Sequence, residues 1–525
     1  MATAPDANIP TNFVAFGATG DLMRRKVIPS LYYLHTRGNL PDRFRVVGFS
    51  RRDWSHDEFR RYIHEVVEDH TGVPLPEEVI RPFLQLFFFQ KGTFEDAESY
   101  RALKTFFDQS DKEWGVCSSR LFYLAVAPEF YEGILKNLSD SGLTDPCGPD
   151  YAKRMRSIGA KGVGETTVSP FRRAIRSMLR TEGSQGEAVG FDEGWTRVIV
   201  EKPFGIDSDT AKTIDELLDK LFKEEQIYRI DHYLAKEMLQ NILAFRFANN
   251  LFEMQWGNKL IERISIKLYE RIGVEKRGPF YDSVGALRDV GQNHLLQMLA
   301  LVTMEHPLNL DASSVQKKRA EILEQLEVIP AKDAKQRTFR GQYAGYRDIE
   351  GVAKDSETET YFKIRASLAL KLWKDVPIIL ESGKRMGDPL KEIIVTFKHP
   401  SPCLCPPGGP HHKNEVIIRM EPREEILIEF WTKKPGFTFE TEQRMFHYML
   451  RDQSDHVPYV EEYAKLLLDC VRGDQTLFIS TDEIRAMWRF TDPILDAWRK
   501  GNVPLMMYEP DTKAVAETSN YVENI

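Results

Sequence analysis

Residues 13–38, "FVAFGATGDLMRRKVIPSLYYLHTRG", decide the fold. A short apolar run, Phe13–Phe16, meets a glycine-bearing turn at once and then a stretch with helical spacing, so the order strand, turn, helix is expected. Working outward, "FRVVGFS" at 44–50, "RLFYLAVAP" at 120–128 and "TRVIVEKPFG" at 196–205 read as further strands. Between them, "SHDEFRRYIHEVVEDH" and the residues from Pro128 to Ser139 have helical periodicity. Apolar strands alternating with helices predict a parallel sheet built from βαβ units.

Past residue 205 the pattern changes. Helices are expected over 207–222, 233–248, 283–304, 456–472 and 481–499. The runs "LIERISIKLYE", "TYFKIRASLAL", "VPIILESG", "EIIVTFKH", "NEVIIRME" and "EILIEFW" read as strands. Several follow one another without a helix between, which predicts a largely antiparallel sheet. The stretch from about 145 to 190 is rich in Gly, Ser, Thr, Lys and Arg and reads as a basic, partly disordered insertion. The expected fold class is an α/β, Rossmann-like dinucleotide-binding domain over residues 1–205, followed by a larger α+β domain over 206–525 with a mostly antiparallel sheet.

Bulk composition narrows the function. The chain has 525 residues, 42% hydrophobic and 29% charged, with a net charge of −8. That balance is ordinary for a soluble globular protein and argues against a nucleic-acid or membrane-surface role. No apolar stretch reaches the roughly 18 residues of a membrane span. "MATAPDANIPTN" lacks the basic start and apolar core of a secretory signal, and "YVENI" is not a receptor-read address. A cytoplasmic protein is expected, with association to a metabolic organelle left open. Five cysteines in so long a chain imply a reducing compartment without a disulfide framework. Cys403 and Cys405 are the close pair, with His411–His412 following. Half a metal site is one reading; the spacing matches no common zinc pattern, and a Pro/Gly-rich loop with no metal is the expectation.

The turn "GATGDL", residues Gly17, Ala18, Thr19, Gly20, Asp21 and Leu22, has the strand-to-helix context a dinucleotide site requires. Gly17 permits the tight turn, and Gly20 lets a pyrophosphate approach the backbone at a helix N-terminus. At the second strand's end stands Ser50–Arg51–Arg52 rather than the acidic residue usual in NAD enzymes. Guanidinium groups beside a hydroxyl suit a 2′-phosphate, so NADP is expected as the cofactor. The distance from Gly17 exceeds the usual ~20 residues, which implies a long first helix.

Lys202 in "EKPFG" lies at the carboxyl end of a predicted strand, the edge where parallel sheets bind ligands. In "RIDHYLAKE", Asp231 stands where a helix is expected to begin, and an N-cap is its plain role. His232 and Lys236, four apart, would share a helical face, with the Tyr233 hydroxyl beside them. Cations over a helix N-terminus make an anion site and point to a phosphorylated small molecule. In "RDVGQNHLLQML", His294 sits among apolar residues and is either a satisfied core histidine or a general base. As a base it needs a carboxylate to fix its tautomer, and Asp231 and Asp289 are both candidates.

Together these segments resemble the glucose-6-phosphate dehydrogenase family, along nearly the whole chain from "GATGDLMRRKVIP" through "LFYLAVAP", "VEKPFG", "RIDHYLAKE" and "LRDVGQNHLLQMLALV" to "TKKPG". The resemblance implies oxidation of glucose 6-phosphate at C1 to the 6-phosphogluconolactone with reduction of NADP, the first step of the oxidative pentose phosphate pathway. It implies that His294 is the base and Asp231 its orienting carboxylate. It matches His232, Tyr233 and Lys236 to phosphate and sugar contacts, and places Lys202 near the C1 hydroxyl. Glu270, Asp289 and Lys384 match substrate ligands, and Tyr131 and Arg51 match coenzyme contacts. It also implies homodimers or homotetramers.

This chain departs from the family in places. Pro389 stands where many members carry a second basic residue, with Lys391 close by. The "EEILIEF" strand lacks the Tyr and Lys that help some animal members hold a second, structural NADP, and Leu390 and Ile394 replace basic residues there. That structural site is expected to be absent or altered. The competing readings are an oxidoreductase of unphosphorylated sugars and an inactive coenzyme-binding scaffold.

Overall fold

The computed structural model describes residues 9–145, 194–403, 405, 411–450 and 461–523. The basic insertion expected at 145–190 lies, from residue 146 on, outside the described residues. The chain forms two compact units: residues 1–202, 213–230 and 461–475 make the first, and 203–212, 231–460 and 476–525 the second. The expected cut at 205/206 therefore does not follow compactness. The physical reason is that the strand Ile227–Ile230 pairs with Thr196–Glu201, and the helix Glu462–Arg472 packs on the helix Ile28–Thr36.

The first unit is built on β1 (Thr11–Phe16), β2 (Phe44–Ser50), β3 (Phe87–Lys91), β4 (Ser119–Leu124), β5 (Thr196–Glu201) and β6 (Ile227–Ile230). Their spatial order is β6-β5-β4-β1-β2-β3, and every neighbouring pair is parallel. β1, β4 and β5 are buried along their whole length. Helices cover both faces of such a sheet, which is why these strands read as continuous apolar runs rather than alternating ones. The order reverses between β1 and β4, so the turn after β1 stands at the switch point where doubly wound sheets bind ligands. Phe16, Phe49 and Tyr100 pack as a cluster, with ring centroids 5.0 Å apart for Phe16–Phe49 and 5.9 Å for Phe16–Tyr100. The helix His56–Thr71 starts with a capping box between Ser55 and Glu58. Cys117 is disulfide-bonded, whereas Cys403, Cys405 and Cys470 are free. The sequence points to no disulfide framework, and among the described cysteines Cys117 alone is bonded.

The second unit carries a nine-stranded sheet. Its strands are β7 (Ile261–Tyr269), β8 (Thr338–Tyr343), β9 (Tyr361–Ala366), β10 (Ile378–Gly383), β11 (Leu390–Phe397), β12 (Glu415–Glu421), β13 (Glu425–Lys433), β14 (Thr441–Met449) and β15 (Leu505–Tyr508). They lie in the order β14-β13-β12-β11-β7-β10-β9-β8-β15. Pairing is antiparallel except for β7–β10 and β8–β15.

Helices cover this sheet. The helix Leu296–Thr303 is buried at every position. Behind it the helix Ala312–Leu323 meets the helix Thr481–Arg499 through a buried Arg319–Glu483 ion pair of 2.8 Å. Among the described residues no helix is long and apolar enough to cross a membrane.

Two expected helices change shape. The one expected over 283–304 breaks at Gly285 (φ 76°, ψ 170°) and continues as a π-helix, Leu287–Leu295, before becoming α-helical. The one expected from 233 starts instead at Glu237. Residues 231–236 form successive tight turns, with Leu234 N–H donating to Asp231 O, Ala235 N–H to His232 O and Lys236 N–H to Tyr233 O. His232 and Lys236 thus do not share an α-helical face, and Asp231 does not cap an α-helix. Its Oδ1 accepts the Tyr233 N–H at 3.0 Å, an Asx turn that offers the backbone a local alternative to the helix.

Candidate active site

The turn after β1 is held by backbone. Gly17 has φ 83°, and a Cβ there would come within 2.6 Å of Ala125 O and 2.9 Å of Val126 Cγ1. Its N–H donates to Phe49 O at 3.2 Å. Gly20 N–H donates to Gly17 O, and Gly20 O accepts from Arg24 N–H, so Gly20 opens the helix. That helix runs from Asp21 through a π-turn at Met23–Val27 and on through Ile28–Thr36, the long first helix that the spacing predicts. Ala18 is buried beneath the turn, while Asp21 is exposed and pairs with Arg25 at 3.2 Å. The amides of the first helical turn have no partner within the helix, which makes this end an anion site. Ser50 is buried at the end of β2, and Arg51 is exposed beside it. Arg52 lies over the Trp54 ring at 4.6 Å.

Lys202 follows the carboxyl end of β5 and is partly buried. Behind it sits a polar cluster that the sequence did not disclose. The buried Glu201 carboxylate accepts from the Tyr123 hydroxyl at 2.7 Å and the Tyr463 hydroxyl at 3.5 Å. Tyr131 is buried, and its hydroxyl donates to the Glu201 carbonyl at 3.4 Å. Burial, then the Glu201 charge, pushes the Tyr123 and Tyr131 phenols up, so both remain donors.

In the second unit the distant segments converge. His294 Nδ1 lies 2.5 Å from Asp231 Oδ1, with His294 3% and Asp231 1% exposed. A buried carboxylate accepts only, so Nδ1 carries the proton and Nε2 is the basic nitrogen. Of the two carboxylates open from the sequence, Asp231 is the one bonded to His294. The Tyr233 ring stacks on the imidazole (centroids 3.9 Å, 25°), and the His232 ring meets it edge-on at 5.0 Å.

Beside this pair stand the cations. Lys236 Nζ lies 5.4 Å and Lys391 Nζ 5.6 Å from the Tyr233 ring centre. Lys391 also reaches Glu421 at 2.6 Å. Lys384 bonds Glu270 at 2.5 Å and lies 4.0 Å from Asp289. Burial, then Glu270, Glu421, Asp231 and Asp289, raises the Tyr233 phenol well above its ordinary value. Tyr281, also buried, is raised by burial and then by Asp289, Glu359 and Glu270.

The helix that carries Asp289 and His294 is set by Glu359, which sequence reasoning missed. The buried Glu359 Oε1 accepts from Leu287 N–H at 2.9 Å, and its carbonyl accepts from Ala286 N–H at 3.0 Å. A Cβ on Gly285 would lie 2.5 Å from Glu359 Oε1. Here glycine is required by both its φ and its space. "ETETYF" has no local pattern that marks Glu359 as a cap for a helix some seventy residues earlier.

A phosphate-binding turn on a parallel sheet, together with a buried Asp–His pair amid lysines and carboxylates, defines a dinucleotide-dependent oxidoreductase of a polar, anionic substrate. The family model for the glucose-6-phosphate dehydrogenase NAD-binding domain matches residues 14–241, and that for the C-terminal domain of the same enzyme matches 243–524. The chain belongs to the glucose-6-phosphate dehydrogenase family. It is 34% identical to the glucose-6-phosphate 1-dehydrogenase of Chlamydia muridarum over 94% of this chain and 91% of that one. It is 32% identical to that of Rhizobium meliloti over 98% and 96%. A solved glucose-6-phosphate dehydrogenase in complex with glucose 6-phosphate superposes with a TM-score of 0.83 at 28% identity, covering 100% of this chain and 99% of that one. The enzyme from Mycobacterium avium gives 0.76 at 28% identity, covering 96% of each.

Proposed function

We propose that this protein oxidises D-glucose 6-phosphate at C1 to 6-phospho-D-glucono-1,5-lactone, with NADP as the hydride acceptor. The observation that carries the reading is the buried Asp231–His294 pair flanked by Lys236 and Lys391. His294 Nε2 takes the C1 hydroxyl proton, Asp231 holds the tautomer, and its charge stabilises the imidazolium that forms. His232, Tyr233 and Lys236 hold the phosphate, with Lys391 supplying charge that Pro389 cannot. Glu270, Asp289 and Lys384 orient the sugar hydroxyls, and Lys202 steadies the C1 hydroxyl.

The turn Gly17–Leu22 fits a pyrophosphate, and Ser50 with Arg51 fits a 2′-phosphate, so NADP is the coenzyme these residues suit. When bound, it supplies the hydride-accepting nicotinamide. The chain's own part is to place, orient and deprotonate the substrate.

The test is the growth of NADPH absorbance in four combinations, NADP or NAD against glucose 6-phosphate or glucose. Turnover with NADP and glucose 6-phosphate well above the other three is expected. Equal rates on glucose would replace the reading with an oxidoreductase of unphosphorylated sugars, and no turnover would leave a scaffold.

The protein works in the cytoplasm as a homodimer or homotetramer on this reading. β14 supports self-association, because Met445, Phe446, Tyr448 and Met449 are all at least 36% exposed on it. The second, structural NADP site of some animal members is absent or altered here, with Leu390 and Ile394 on β11 in place of cations. Sedimentation with coenzyme quantified in the same boundary checks both, an oligomer with one NADP per chain being expected.

A further inference from the structure

The loop between β11 and β12 carries His399, Cys403, Cys405 and His411, and one donor atom from each lies within 4.8 Å of all the others. We propose that these four side chains form a closed, tetrahedral zinc site, separate from the residues assigned to catalysis.

The donor set is the first argument. Two thiols and two imidazoles are the composition that selects zinc among divalent cations. With Zn–S near 2.3 Å and Zn–N near 2.0–2.1 Å, tetrahedral ligands stand about 3.3–3.8 Å apart. His411 Nδ1 lies 3.1 Å and Cys405 Sγ 3.9 Å from His399 Nε2. Cys403 and His411 are exposed, so small side-chain rotations complete the shell.

The surroundings are the second argument. His399 Nδ1 donates to His412 O at 2.9 Å, which fixes the tautomer and turns the Nε2 lone pair toward the cluster. A backbone carbonyl on the far nitrogen is the usual support of a metal-bound histidine. The Cys405 sulfur accepts the His412 backbone N–H at 3.4 Å, so the same residue holds both Cys405 and His399. The loop's return is braced, because the His412 ring stacks on Trp431 (centroids 3.6 Å, 4°) and Trp431 Nε1 donates to Lys413 O at 3.0 Å. Its start is tied down by Lys398, whose N–H donates to Leu260 O and whose Nζ donates to Asn258 O.

The spacing H-x3-C-x-C-x5-H departs from the common zinc patterns, which is why the sequence points to a plain loop. All four ligands lie between β11 and β12, so the pairing of those strands sets the geometry in place of a knuckle motif. Four protein ligands leave no open position, so the ion pins the loop rather than acting on substrate.

The test uses the full chain. Protein produced with zinc supplied should carry one zinc per chain by elemental analysis, and the Cys403→Ser/Cys405→Ser variant essentially none. Chelated protein reloaded with cobalt should show thiolate-to-cobalt charge transfer and tetrahedral visible bands, both lost in His411→Gln. The His411→Gln reading stands in should the double variant fail to fold. Zinc retained by the double variant would put the ion elsewhere and overturn the site. So would no zinc in the parent chain, or a Cys403–Cys405 disulfide found by thiol counting.

Discussion

The glycine turn after β1 and the centre around Asp231 and His294 are built in opposite ways. The turn in the first unit is one continuous segment, Gly17–Leu22, whose chemistry is mostly backbone: a left-handed glycine, a carbonyl close behind it and the open amides of a helix start. The centre in the second unit draws on residues from Asp231 to Lys391 and works almost wholly through side chains. A local backbone device is fixed by which residues lack a Cβ. A site assembled from side chains is fixed by the sheet and helices that bring them together. The first should be brittle to small additions of volume, and the second to loss of single functional groups.

The largest effect belongs to the assembled site. His294→Asn should lower turnover by roughly 10²–10⁴, the range for losing a positioned base, with NADP binding unchanged. Near-normal kcat in steady-state assays would remove His294 from the chemistry.

On the brittle side, Gly17→Ala forces a Cβ against Ala125 O at a φ that disfavours it. A stability loss of about 2 kcal/mol or more in denaturant unfolding, with weaker NADP binding, is expected. A variant with parental stability and affinity would mean that the turn is not held by backbone contact.

Lys236→Ala and Lys391→Ala should each raise KM for glucose 6-phosphate about tenfold, as expected for a lost charge-assisted contact, with kcat changing less. A double-mutant cycle sharpens the point. Coupled effects place both cations on one phosphate, while a silent Lys391→Ala assigns that lysine to Glu421 alone.

Arg51→Ala should have the mildest consequence, a loss of about tenfold in the preference for NADP over NAD, read from the ratio of kcat/KM values. An unchanged ratio would move recognition of the 2′-phosphate elsewhere.

The same contrast explains what could be read without coordinates. β1, the glycine turn and the long first helix follow from local pattern, and so do most strands of the second sheet. β14 does not: "TEQRMFHYM" mixes polar and apolar residues because much of it is exposed, so no clean alternation marks it. β6 escapes notice because "IYRI" is only four residues long. The candidate site residues were named through motif and resemblance, which also implied Asp231 as the partner of His294, but the residues alone left that partner open. Asp231 over Asp289 as the carboxylate on His294, and Glu359 as the cap of its helix, depend on contacts across more than sixty positions. The helical face expected for His232 and Lys236 fails because the Asp231 side chain captures the Tyr233 amide and holds the chain in turns.

The π-helix Leu287–Leu295 has a consequence for how this site tolerates change in chain length. A π-turn holds one residue more than an α-turn, as though a single residue had been inserted into an ordinary helix. Deleting one residue there would let the backbone relax into regular α-geometry with the flanking turns still in phase. The wider winding brings residues five apart near one face, as it does Asp289 and His294, whereas regular α-winding at about 100° per residue would set the same two some 140° apart. Loss of one residue between them is therefore milder than straightening the helix at its present length. The irregular winding acts as a phase setting between Asp289 and His294.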